Sequence, residues 1–485
     1  MVCSTWAANL VWVLMGANWL IEGRWREKWQ MARSSRALHV YLAFYAILLI
    51  GLIWTENIGF GLSVMQVKLP LLVVPLVMLT SRPLEGRSRS SALFVFVGTV
   101  FVVSVISVIR MFTIPDLPYR EAVPYISHIR FALCCCMVIF IAWGHCRRSM
   151  AMWVLSVVII LWMLCFLVLI RSYTAIVVLM AVSFVAVLHH RRRWWMVVLW
   201  LLVVGGMSLS VAREVQSYYR LCPMSELPLK ETTAGGRPYY HACDGIVENG
   251  NYLNNYINID ELRAEWPRRS KESLADEING GFCREVVLIR YLNACGLTKD
   301  SVGVWAMTED DVRAVERGVE NPVYESGNPL RKMVYVMLFE RENWVHTGTV
   351  SGFTMLQRFE LWRATWKVIK ENPWVGVGTG DAVDAMHAEL VEMDSELIGT
   401  TKRTHNEYLS LVAMVGFLGV AVLAVMFLRA VVRPKHLKNK TKHLALIVAW
   451  LIVVLVSFLT EDTLDTLAGI LFCTWFLAFR PKTIK

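Results

Sequence analysis

The fold class this sequence predicts is an all-α polytopic membrane protein of about eleven transmembrane helices, with one large, mostly helical loop held outside the cytoplasm. Three observations predict it. The first is composition, since 56% of the 485 residues are hydrophobic and 20 are Trp, well outside soluble norms. The second is a series of apolar runs of about 17 to 25 residues, the length that a hydrocarbon core of about 30 Å requires. The third is the placement of charge: residues 212–404 carry 22 Lys plus Arg against 29 Asp plus Glu, net −7, and the remainder of the chain carries +17. That remainder is concentrated in short connectors that a positive-inside protein keeps in the cytoplasm. The excess positive charge therefore reads as membrane orientation, and no nucleic-acid partner is expected.

The expected spans are 3–20, 37–54, 63–80, 91–111, 128–145, 150–170, 173–189, 194–211, 406–429, 443–460 and 464–479. Basic connectors occur at 23–36, 81–89, 145–148, 189–193 and 429–443, and in the tail RPKTIK. With eleven spans all of them fall on one side, which sets the N-terminus outside and the C-terminus inside. The organisation expected is an N-terminal bundle of about eight helices (1–211), a loop domain (212–404) and about three C-terminal helices (405–485). Met1 has no Lys or Arg ahead of the first apolar run and no small-residue cleavage site follows, so no removable signal peptide is expected.

The long loop lacks the low complexity of a linker. Helical periodicity marks 284–293, 308–318 (opened by Thr-Glu-Asp-Asp) and 330–342. It is clearest in 352–371, where Phe353, Leu356, Phe359, Trp362, Trp366 and Ile369 recur at three- and four-residue spacing. That aromatic face suits ordinary core or a membrane interface. Asn372-Pro373 ends the helix. GVGTGD (376–381) follows, and then an expected helix over 382–393 with Asp381 as N-cap. Alternating glycines such as Gly376 and Gly378 ahead of a helix can present amides to phosphate; the stronger reading of the residues alone is a turn that needs positive φ. Of the eleven cysteines, Cys222, Cys243, Cys283 and Cys295 lie in the loop, where an oxidising compartment would permit two disulfides, sequential pairing being the simplest of three connectivities. No Cys/His spacing suits a structural metal, and neither metal nor cofactor is expected.

Several residues carry types suited to chemistry. His405, beside Asn406 and Glu407 at the entry to the ninth span, reads as an interfacial hydrogen-bonding residue or as a general base, its ordinary pKa being near neutrality. Gly416 and Gly419 permit close helix packing. Arg171 interrupts an apolar stretch of about 38 residues, about 57 Å if helical, whose two flanking connectors are both basic. The chain must therefore turn back there, setting a guanidinium at the outer surface. Lys68 lies a turn or more inside the third span, where an ionisable group is a functional candidate or a structurally paired one, with Glu56 as the partner in reach. Glu461, Asp462 and Asp465 read as a solvated turn.

The run RFELWRATWKVIKENPWVGVGTGD, followed by THNEYLSLVAMVGFLG, resembles the shared domain of bacterial O-antigen ligases, O-antigen polymerases and O-oligosaccharyltransferases. Arg358, Trp362, Asn372, Pro373, Gly376, Gly378, His405, Asn406, Gly416 and Gly419 match its pattern in order and approximate spacing, and LIRYLNACGLTKD resembles a Bacteroidetes-type branch. The resemblance implies a GT-C-like glycosyltransferase of the inner membrane. Such an enzyme moves a glycan from undecaprenyl pyrophosphate to an acceptor hydroxyl, such as lipid A core, on the periplasmic side and without a metal. It also implies two arginines and a histidine at the site. Arg358 and His405 take two of these places, and Arg171 takes the first arginine's, although Ile170-Arg171-Ser172-Tyr173 changes the family's Ser-Arg-Thr-Gly order. Lys68, Asn406, Trp362, Gly376 and Gly378 are the expected substrate-binding positions, and membrane lipids are the surrounding partners. The competing class is a transporter of lipid-linked sugars, which offers no reason for a folded loop carrying Arg358 ahead of His405.

Overall fold

A computed structural model describes residues 5–82, 84, 86–114, 117, 120–145, 149–189, 194–220, 229–242, 244–278, 282–325, 328–348, 350, 354–401, 403–431 and 441–479. The basic connectors 146–148, 190–193 and 432–440, the tail from 480, and Cys222, Cys243 and Phe353 lie outside the described residues. The chain divides into two compact units, one of 1–193 with 358–485 and the other of 194–357.

The first unit begins with α1 (Thr5–Ile21), α2 (Trp25–Ser34), α3 (Arg36–Gly51), α4 (Ile58–Thr80), α5 (Gly86–Thr113), α6 (His128–His145), α7 (Met150–Leu169) and α8 (Tyr173–His189). Ser35 separates α2 from α3, which meet at 85°, and its hydroxyl accepts the Leu38 amide at the start of α3. Asn57 and Ser149 cap α4 and α7 in the same way, each satisfying one of the amides a helix start leaves open.

The second unit holds α9 (Trp194–Tyr218), α10 (Ile259–Arg269), α11 (Arg284–Ala294), α12 (Ser301–Ala306), α13 (Glu309–Glu316) and α14 (Pro329–Thr347). It also has two small antiparallel hairpins, β1 (Val247–Glu248) with β2 (Asn251–Tyr252) and β3 (Glu277–Ile278) with β4 (Phe282–Cys283). Leu262, Trp266, Leu288, Leu292, Val304 and Val315 fill its core, while Glu248, fully buried, accepts from Arg290, Asn321 and Tyr335. Thr308 opens α13 with a reciprocal capping box to Asp311, as its Thr-Glu-Asp-Asp start suggests. Cys283 and Cys295 are free thiols, not the bonded pair that sequential connectivity would make.

The first unit resumes with α15 (Thr354–Glu371), α16 (Ala382–Glu392), α17 (Glu407–Val431), α18 (Thr441–Thr460) and α19 (Leu467–Trp475). Its core is a continuous apolar cluster in which α17 packs on α3, α6 on α7, and α18 on α6 and α8. Cys134, Cys135 and Cys136 are buried within it. On α15 the buried spine is Leu361, Ala364, Thr365, Val368 and Ile369. Of the expected aromatic face, Leu356 and Ile369 are buried, Trp362 is half-buried, and Phe359 and Trp366 are exposed.

Helices occupy the eleven apolar runs, but among the described residues five are long and apolar enough to cross a membrane, or six if α2 and α3 count as one bent span. Four shorter apolar helices accompany them. The nine residues of α19 reach only about 13.5 Å at 1.5 Å per residue, far short of a 30 Å core. The protein is a multi-pass helical membrane protein.

Gly416 departs from the expectation of close helix packing. With φ 67° and ψ 177° it breaks α17, and the freed backbone groups are taken up by the segment after α15. Ala413 O and Met414 O accept from Val377 N and Gly378 N, while Phe417 N and Leu418 N donate to Pro373 O and Trp374 O. A Cβ at Gly416 would collide with the Trp374 carbonyl, whereas one at Gly419 would meet only the side chains of Val415 and Ile47. Gly416→Ala is therefore expected to cost about 2–4 kcal/mol through strain and overpacking, and Gly419→Ala clearly less. Thermal unfolding of the two variants in detergent checks the order, and equal losses would contradict this account of the break.

Candidate functional site

Lys68, on α4, is 1% exposed. Its ammonium bonds Asp465 Oδ1 at 2.6 Å and Leu464 O at 3.2 Å, and lies 3.7 Å from Glu407 Oε1. Glu407, equally buried at the start of α17, accepts the Leu464 amide at 2.8 Å through its other oxygen. The partner is therefore not Glu56. Held by these acceptors, Lys68 braces the turn between α18 and α19, the structurally paired alternative to a substrate contact.

That turn carries the rest of the site. Asp462, Glu461 and Asp465 are not a solvated hairpin, for Asp462 is 1% and Glu461 7% exposed. Asp462 accepts from Thr404 Oγ1 at 2.9 Å and from the backbone amide of His405 at 2.8 Å. The second bond holds His405 in the left-handed region, at φ 54°, a conformation that histidine enters more readily than most residues but still at some backbone cost. Trp362 Nε1 donates to Thr404 O at 3.0 Å, so Trp362 holds the same segment in place from α15. Asn406 caps α17, its Oδ1 accepting from Tyr408 N at 3.1 Å and Leu409 N at 3.2 Å. Both residues thus position His405, a role different from the substrate contact expected of them.

The imidazole of His405 is left with a buried Nδ1 that has no hydrogen-bond partner among the described residues. Burial holds its pKa below the ordinary value; the carboxylates of Asp462 and Glu461 oppose that shift, and the guanidiniums of Arg358 and Arg403 add to it. A neutral ring at neutral pH with an open nitrogen is the form a proton acceptor needs.

Beside it, Arg358 Nη2 bonds Glu461 Oε1 at 2.8 Å. The other oxygen of Glu461 faces Arg130 Nη2 at 4.0 Å. Arg130 is the third residue of α6, and sequence reasoning missed it, although the rule that singled out Lys68, an ionisable group inside an apolar run, applies to it equally. Glu407 was overlooked as a participant for the same reason. Arg171 occupies the turn between α7 and α8, exposed and at φ 49°, with its amide on Val168 O. It turns the chain where the length argument requires, but Glu461 is shared by Arg130 and Arg358.

Gly376 and Gly378 do not offer their amides to phosphate. Gly376 N donates to Asn372 O, Gly378 N to Met414 O, Thr379 N to Gly51 O and Gly380 N to Thr55 Oγ1. Positive φ at both (69° and 108°) and a close approach explain the glycines: a Cβ at Gly376 would lie 2.5 Å from Ala413 O, and one at Gly378 2.5 Å from Thr55 Oγ1. Asp381 gives α16 no side-chain cap; its carboxylate instead receives the amides of Glu56 and Asn57 at 2.7 and 2.8 Å.

A multi-pass helical membrane protein with arginines, carboxylates and a strained histidine gathered at its helix ends is suited to handling an anionic group at a membrane surface. Residues 332–424 match the family model described as O-antigen ligase, so this segment is similar to the domain that defines that family. The match contains Arg358, Trp362, Gly376, Gly378, His405, Asn406 and Gly416, whereas Arg130, Arg171 and Glu461 lie outside it. Members of this family are membrane glycosyltransferase-like enzymes, ligases and polymerases, and glycan transfer of that type, between a lipid-linked glycan and an acceptor, is the function the match supports. A search of curated proteins gives no match.

Proposed function

We propose that the protein transfers a glycan from undecaprenyl pyrophosphate to an acceptor hydroxyl, lipid A core being the leading acceptor, at the periplasmic face of the bacterial inner membrane. The observation that carries this reading is the open, buried Nδ1 of His405 beside the Arg358–Glu461 pair, His405 and Arg358 both lying within the segment that matches the O-antigen ligase family. His405 takes the acceptor proton, the acceptor oxygen bonds the anomeric carbon, and the bond from that carbon to the phosphate oxygen breaks. The electron pair leaves on undecaprenyl pyrophosphate, and Arg358 meets the charge that develops there. In a partly dehydrated site the attraction between a prepositioned arginine and that charge is stronger than in water. Arg171, in its exposed turn, would meet the same lipid-linked pyrophosphate from the membrane surface.

Transfer by the purified protein in detergent with EDTA tests the reading. The acceptors are lipid A core, a lipid-linked repeat unit and a peptide, which stand for ligase, polymerase and protein glycosylation. Product on lipid A core that persists with EDTA is the expected result. Donor binding without product on any acceptor would favour the transporter class. Arg358→Lys is expected to lose about 10-fold or more in kcat/KM, because a point charge replaces a fork that reaches Glu461 and phosphate together. Wild-type kinetics in both Arg358→Lys and Arg358→Ala would remove Arg358 from the phosphate step.

A further inference from the structure

We propose that Arg130 is a further phosphate-binding residue, which with Arg358 takes the pyrophosphate of a lipid-linked ligand while the Glu461 carboxylate gives way to it. The identity of the ligand rests on the glycan-transfer reading; the anion site itself does not require turnover.

Three observations carry the inference. The Arg130 side chain is 13% exposed, yet its Nε and Nη2 are buried without a hydrogen-bond partner among the described residues. Unmade hydrogen bonds on a buried guanidinium are costly, and an anionic ligand is one partner that can supply them. The second observation is charge. Two guanidiniums face one carboxylate, and at 4.0 Å from Arg130 Nη2 the second oxygen of Glu461 attracts without bonding.

Asp462 commits its oxygens to Thr404 Oγ1 and the His405 amide, and Asp465 is paired with Lys68. Among the described residues Arg130 is therefore left with no counter-ion within hydrogen-bond distance. Third, the open Nδ1 of His405 belongs to the same constellation, its electrostatic neighbours including Glu461 and Arg358. A pyrophosphate diester carries two negative charges and two pairs of non-bridging acceptor oxygens, one pair on each phosphorus, which suits two forked donors better than a single phosphodiester would.

The competing explanation is a salt bridge that only fastens α6 to the turn after α18. The two differ in sign. If Glu461 competes with the ligand for both arginines, Glu461→Gln tightens anion binding while Arg130→Gln weakens it; a structural bridge lowers the melting temperature in both and moves neither affinity.

The experiment is titration of the full-length protein in nanodiscs with inorganic pyrophosphate. Arg130→Gln is expected to weaken binding about tenfold or more and Arg130→Lys about threefold, with Glu461→Gln tighter than wild type. Arg130→Lys keeps the charge and so keeps the test open if the glutamine variant does not fold. Undecaprenyl pyrophosphate and phosphatidylglycerol then compete against pyrophosphate. Displacement by the first and not the second is expected, and equal displacement would make this a general headgroup site and overturn the donor assignment. No pyrophosphate binding by the wild type, or unchanged affinity in the Arg130 variants, overturns the proposal even where transfer is observed. Arg130-dependent binding with no transfer to any acceptor leaves the anion site standing and removes the transferase reading.

Discussion

His405→Asn is expected to bind the donor and to transfer about 10²- to 10⁴-fold more slowly than wild type, the span over which a positioned general base contributes. Asparagine is the informative replacement because it tolerates left-handed backbone better than alanine. The φ of 54° at this position and its amide bond to Asp462 should survive, so that loss of turnover reports the imidazole and not a disturbed loop. The wild-type pH profile gives an independent reading. Burial depresses the His405 pKa from 6.5, and the catalytic form of a base is the deprotonated one. Activity should therefore be full at neutrality and fall only as the pH drops through a midpoint below 6.5, and that acid limb should be absent from the residual activity of His405→Asn. A midpoint above 6.5, or an asparagine variant with wild-type turnover, would exclude His405 as the base.

How far the sequence discloses the site depends on whether a residue's role is set by its near neighbours along the chain. Local signals sufficed for several helices of the loop region. The Thr308 capping box, the Asn372-Pro373 stop and the three- and four-residue spacing through 354–371 are each decided within a turn or two, and α13, α15 and α16 fall where those signals put them. α10, which contains Pro267, and the six-residue α12 were not anticipated. The partners of charged groups were harder to infer. Lys68 meets Asp465 across 397 positions and Arg358 meets Glu461 across 103, and no periodicity reports such pairings. The acidic residues at 461, 462 and 465 therefore looked like a solvated turn, since burial by α4, α15 and the segment before α17 leaves no local mark. Gly416 shows the same limit: its sequence context is that of a packing glycine in an apolar helix, and the reason for it lies in the Pro373–Gly378 segment, which requires an interrupted helix to bond against.

The largest stability effect is expected at Lys68. Lys68→Met removes the cation that bonds Asp465 Oδ1 at 2.6 Å beside a Glu407 that is 1% exposed, and leaves Asp465 without its counter-charge. Breaking a buried pair from one side typically costs about 3–5 kcal/mol, because the remaining charge stays desolvated. Glu407→Gln should cost less, since the amide can still accept from Leu464 N, and the double variant should be more stable than the sum of the single losses predicts, as expected for residues in contact. Thermal or denaturant unfolding of the three variants in detergent provides the cycle; strictly additive losses would mean that Lys68 and Glu407 do not interact. Because Lys68 also bonds Leu464 O and Asp465, it fixes the turn that carries Glu461 to Arg358 and Asp462 to His405. Transfer in Lys68→Met should accordingly fail at temperatures below the melting transition, kcat dropping before the fold is lost, whereas a lysine acting only on substrate would change KM and leave the unfolding temperature where it was.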